Sequence, residues 1–172
     1  MLPILFFLYH AVVIIALSIV IITRRNPVHS VLWMLVLFFH IAGLYLFLNA
    51  EFLAAVQVIL YAGAILVLFL FVIMMLNIKH ELNADLSIGE WPIGVAIGLS
   101  VMTLTVLGIG KFVPGPMGQA SIEAVKAETH TKAIGRVLYM DYLFPFELAS
   151  IILLIAIVGA IVLAKKEKAS DR

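Results

Sequence analysis

Residues 51–77 read EFLAAVQVILYAGAILVLFLFVIMMLN, and no charged residue follows Glu51 in this stretch. The hydrocarbon core of a bilayer takes about 20 apolar residues in helical form. The stretch therefore predicts a membrane-spanning helix longer than a straight crossing needs. The surplus allows a tilt or a π-bulge. The strict alternation that marks a membrane strand is absent. Gln57 and Tyr61 stand four apart and are expected to share a face. Tyr61 lies ten residues beyond Glu51, about 15 Å along the helix. That is near mid-membrane, away from the interfacial belt where tyrosine collects. Gly63 beside it permits close helix approach or a local break in the hydrogen-bond ladder.

Outward from this stretch, four more apolar runs complete the pattern. Helices are expected at about 2–22, 29–49, 52–77, 92–111 and 143–164, with a polar loop at 112–142. The fold class is an all-α membrane protein, a bundle of five transmembrane helices in one transmembrane domain over 1–172. Composition agrees: 65% of residues are hydrophobic and 12% charged, against about 45–50% and 25% in soluble chains. No internal repeat is visible, which disfavours an inverted-repeat transporter built from this chain alone. Residues 1–7 carry no Lys or Arg, the reverse of a secretory signal. With Arg24, Arg25, Lys79 and the tail cations Lys165, Lys166, Lys168 and Arg172 inside, seven cations lie inside and four outside. The four, Lys111, Lys126, Lys132 and Arg136, are spread over the long loop. The positive-inside rule then places the N-terminus outside and the C-terminus inside.

Several function classes are excluded. A net charge of +1 draws in no nucleic acid. With no cysteine the chain holds no Cys-ligated iron–sulfur cluster. It contains neither a G-x-x-x-x-G-K-[ST] phosphate loop nor an H-E-x-x-H zinc motif. No catalytic, cofactor-binding or metal-binding residue of its own is expected.

Each remaining candidate has a structural and a functional reading. Gln57 and Tyr61 can bond to neighbouring helices while Ala62, Gly63 and Ala64 form a packing face. Alternatively the segment is a hinge whose register controls a water path. Glu147, after Pro145, can cap the last helix or sit in a buried polar path. Glu51 reads as an interfacial cap. His40 can bond a backbone carbonyl or relay a proton. No His, Asp or Glu lies four residues from it, so a metal site there is poorly supported. Gly94 and Gly98 form a GxxxG face, and Ala156, Ala160 and Ala164 a small-residue stripe; both predict tight helix packing.

Three segments carry a resemblance: Arg25-Asn26-Pro27-Val28-His29-Ser30, the run from Gln57 to Asn77, and the end region from Thr131 through Pro145-Phe146-Glu147 to Leu163. Together they resemble the J subunit (subunit 6) family of respiratory complex I, the proton-pumping NADH:quinone oxidoreductase. The resemblance implies a membrane-arm subunit between quinone-site and antiporter-like subunits, in a bacterial inner (plasma) membrane or its mitochondrial equivalent. It implies that Tyr61, Ala62, Gly63 and Ala64 form a π-bulge that switches with quinone reduction and gates a water path. Some members carry an acid where Gln57 stands; an amide cannot titrate there. FMN, iron–sulfur clusters and quinone would be bound by other subunits, none by this chain. A cation/proton antiporter subunit, a membrane-bound hydrogenase subunit or a purely structural subunit remain alternatives.

Overall fold

The computed structural model describes residues 2–76, 91–113, 115 and 121–165. Lys79 with its loop, residues 114 and 116–120 of the polar loop, and the tail cations Lys166, Lys168 and Arg172 lie outside the described residues. The described residues form helices and no strand. We number them α1 (Leu2–Thr23), α2 (Pro27–Phe47), α3 (Glu51–Met75), α4 (Trp91–Gly110), α5 (Ile122–Glu128), α6 (His130–Met140) and α7 (Leu143–Ala164). Five of them, α1 to α4 and α7, are long and apolar enough to cross a membrane. By its contacts the chain divides into two units, Met1–Gln119 and Ala120–Arg172.

In the first unit, α2 packs against both α1 and α3. The connection between α1 and α2 is short because its chemistry is complete. Asn26 Oδ1 accepts from the Val28 N–H at 3.0 Å, and Pro27 occupies the first helical position, where no N–H is needed. Ser30 Oγ donates back to the Ile21 carbonyl at 3.0 Å, tying the two helices together at this end. The connection from α2 to α3 closes differently. Asn49 takes φ 57°, its N–H reaches Leu46 O at 3.0 Å, and the Ala50 N–H reaches Tyr45 O at 2.8 Å. These are the paired bonds of a Schellman ending, with asparagine in the left-handed position that usually takes glycine.

Small side chains let the helices close. Ala42 of α2 and Ala54 and Ala62 of α3 are buried, with Leu17, Val31 and Leu66 completing the apolar core. Hydroxyls inside the spans satisfy themselves locally. Ser18, Ser100, Thr103 and Thr105 each donate at 2.8 Å to the carbonyl four residues earlier, as a lipid environment demands. Helix α4 is exposed along its whole length. A Cβ added at Gly94 or Gly98 would meet nothing within 4 Å, so the GxxxG face has no described partner in this chain.

In the second unit the polar stretch before the last span folds as α5 and α6. Arg136 pairs with Glu128 at 2.6 Å. The Tyr139 ring meets Phe146 edge-on at 5.0 Å, joining α6 to α7. Ala156, Ala160 and Ala164 on α7 are exposed.

Candidate functional site

The middle of α3 departs from α-helical geometry. Residues Gln57–Ile65, nine in all, form a π-helix between α-helical Glu51–Val56 and Leu66–Met75. The Leu66 N–H donates to Tyr61 O, five residues back rather than four. No backbone break accompanies this: Val56, Gln57, Ile65 and Leu66 all hold right-handed helical angles.

Burial follows the extra residue. The buried positions of α3 are Ala54, Gln57, Ala62 and Leu66. An α-helix returns to a face after three or four residues. Here one step, from Gln57 to Ala62, is five, and it falls inside the π segment. Gln57 is 6% exposed and Ala62 5%, whereas Tyr61 is 46% exposed. Gln57 and Tyr61 therefore do not share one buried face as their four-residue spacing predicts. The wide turn hands the buried place to Ala62. Tyr61 instead sets its ring edge-on to Phe38 of α2, with centroids 6.1 Å apart. Gly63 and Ala64 are exposed, so of the three small residues only Ala62 packs within the chain. A Cβ on Gly63 would stand 3.4 Å from Val58 O, the carbonyl five residues earlier in its own helix.

The other candidates lie apart from this segment. Glu51 is the first residue of α3 and exposed, where a carboxylate complements the helix dipole. Glu147 does not occupy a capping position. α7 starts at Leu143, leaving no acid in its first turn, and the dipole's influence falls off beyond that turn. Pro145 does not delay the start, because the first-turn N–H groups need no helical partner. His40 Nδ1 bonds the Val36 carbonyl at 2.9 Å. Its ring also lies 5.9 Å from that of His10 on α1, a neighbour that a search along α2 alone does not find. No group of three or more His, Cys, Asp or Glu among the described residues is placed to hold a metal ion.

There is no thiolate anywhere in the sequence for an iron–sulfur cluster and no phosphate loop for a nucleotide. What α3 offers is a backbone device rather than a reacting group.

Comparison with known proteins gives the setting for that device. Residues 17–163 match the family described as NADH-ubiquinone/plastoquinone oxidoreductase chain 6. The NADH-quinone oxidoreductase subunit J of Rickettsia bellii is 36% identical, over 96% of this chain and 82% of its own. Subunit J of Rhodobacter capsulatus is 34% identical over 95% of this chain and 81% of its own. The chromatophore NAD(P)H-quinone oxidoreductase subunit 6 of Paulinella chromatophora is 44% identical over 83% of this chain and 68% of its own.

Proposed function

The chain belongs to the NADH-ubiquinone/plastoquinone oxidoreductase chain 6 family, and from that premise we propose that α3 is the moving part that couples quinone reduction, carried out in other subunits, to proton translocation. The chain is a multi-pass membrane subunit of NADH-quinone oxidoreductase. In our reading it is non-catalytic and sits in the bacterial inner membrane with its N-terminus outside. FMN, iron–sulfur clusters and quinone are held by companion subunits, and the chain lies between the quinone-site and antiporter-like ones.

The bond from the Leu66 N–H to Tyr61 O carries this reading. If that N–H moves to Ala62 O, four residues back, the π turn becomes α. At 3.6 residues per turn, removing one surplus residue turns the rest of the helix by about 100°. Tyr61 would then exchange places with Ala62 beside Phe38, and the Leu66–Met75 segment would present a different face. Both registers keep the backbone bonded inside the helix, which the membrane requires. Gly63 lowers the barrier between them, because it brings no side chain through the moving turn. A phenol swung into or out of the seam would join or interrupt a chain of water.

The test is Gly63→Val in the assembled complex, with NADH:quinone turnover and proton pumping measured on the same membranes. Pumping slowed about tenfold, with the subunit still inserted, is the expected result. Normal pumping and normal turnover would remove the gating role. Orientation is tested separately, by labelling a cysteine introduced at Pro3 with an impermeant reagent from each side.

A further inference from the structure

A second polar constellation lies in the seam between α1 and α2, apart from the π segment. Neither helix contains a Lys, Arg, Asp or Glu. Each sends one imidazole into the seam, His10 from α1 and His40 from α2, with centroids 5.9 Å apart. The Tyr9 ring lies 5.1 Å from His10 and 6.1 Å from His40. His10 is 7% exposed. At about 1.5 Å per residue, His10 is about 12 Å from the start of α1 and His40 about 10 Å from the end of α2. The antiparallel pair thus places both rings at one depth, well inside the spans.

The hydrogen bonds fix the tautomers. His10 Nδ1 is 3.0 Å from the Phe6 carbonyl oxygen, and His40 Nδ1 is 2.9 Å from that of Val36. A carbonyl only accepts, so each Nδ1 carries the proton and donates it. In a neutral ring the other nitrogen, Nε2, is then a bare acceptor. His10 Nε2 is turned into α2, 3.0 Å from where a Cβ on Gly43 would stand. Gly43 lies one turn beyond His40 and leaves the imidazole its seat. Among the described residues, no hydrogen bond is made to either Nε2. His10 Nε2, inside the seam, and His40 Nε2, on the partly exposed ring beside it, are thus two acceptors with no protein donor among the described residues.

We propose that His10 and His40 form a proton-holding site in the α1–α2 seam. One proton, delivered by hydronium with release of water, adds to an Nε2 and is shared between the rings through one water. A second proton is opposed by the first, because two imidazolium charges at this separation repel strongly away from bulk water. Tyr9 is the neighbouring phenol. The other titratable groups on the packed elements are His29 and Tyr45 on α2, and Glu51 and Tyr61 on α3. The site does not depend on the coupling role of α3, because its proton is read in the resting complex without turnover.

The experiment is an infrared titration of the assembled complex carrying 15N-labelled histidine, from about pH 5 to 9. Wild type is compared with His10→Asn, His40→Asn and the double variant. The asparagine amide can replace the Nδ1–H donor to the same carbonyl but takes up no proton. The expected difference between wild type and the double variant is one imidazolium, not two. Either single substitution is expected to alter the infrared signature of the remaining ring, because the two rings hold one proton in common. Two independently titrating rings, unmoved by the single substitutions, would overturn the proposal, as would no titrating imidazole at all. If an asparagine variant does not assemble, glutamine replaces it at the same position, and the same two outcomes decide.

Discussion

Helices α1 to α3 and helix α4 are similar in length and hydrophobicity, yet the chain treats them differently. The first three bury a polar side chain on each outer helix, His10 and Gln57, and close on small residues. α4 is exposed throughout, its glycines facing nothing; α7, in the other unit, is exposed nearly as completely. Apolar surface by itself does not draw helices together in lipid, where the surroundings are equally apolar; shape and polar bonds do. The contrast teaches that specificity within this chain resides in α1 to α3. The bare faces of α4 and α7 are left for lipid or companion subunits.

Six substitutions at five positions can break or sharpen that contrast. The largest effect is expected from Gln57→Lys, which forces a charge into the buried seam of α3. A charged side chain at a helix centre costs about 3 kcal/mol, and the subunit should be depleted from the purified complex, as quantified by immunoblot. Next is Gly43→Ala, whose new methyl meets His10 Nε2 at 3.0 Å. Overpacking there should cost about 2 kcal/mol and lower the thermal inactivation midpoint. Gly98→Ala on α4 has open space in this chain. An equal loss from Gly98→Ala would mean that a companion subunit packs on α4 as tightly as α1 packs on α2. Third, Gly63→Val should slow proton pumping about tenfold, equivalent to about 1.4 kcal/mol, while Gly63→Ala should be mild because its Cβ fits at 3.4 Å. Smallest is Asn49→Ala, which puts an ordinary residue at φ 57°. It should cost about 1 kcal/mol, visible as a small drop in the same inactivation midpoint.

The spans were legible because run length alone sets them: the run expected at 52–77 is the helix Glu51–Met75. The length of that run allows a tilt or a π-bulge, and only the family resemblance implies a bulge at Tyr61–Ala64; the π segment spans Gln57–Ile65. Which side chain it buries was not legible. Spacing rules assume a constant period, and the π turn shifts the phase after Gln57. Glu147 has two readings from the sequence, cap or buried polar path; the helix begins at Leu143, as the run at 143–164 predicts, so the first turn ends before Glu147 and the capping reading falls. His10 was missed by searching four residues either side of His40. The signal lay across the hairpin: His10 and His40 are each fifteen residues from Arg25, and equal distances from a tight turn put residues side by side.

The α1–α2 pair is fastened unevenly. Near Arg25 it is laced by the Ser30 bond to Ile21 and the Asn26 cap. At the opposite mouth the two helices meet through rings, Phe6 tilted against Phe47 with centroids 4.8 Å apart. Such a clasp parts first at its unlaced end. Solvent reaching the histidines would come past these two phenylalanines, from the rim where the polypeptide begins, and a bulkier or smaller ring there would set how fast it arrives.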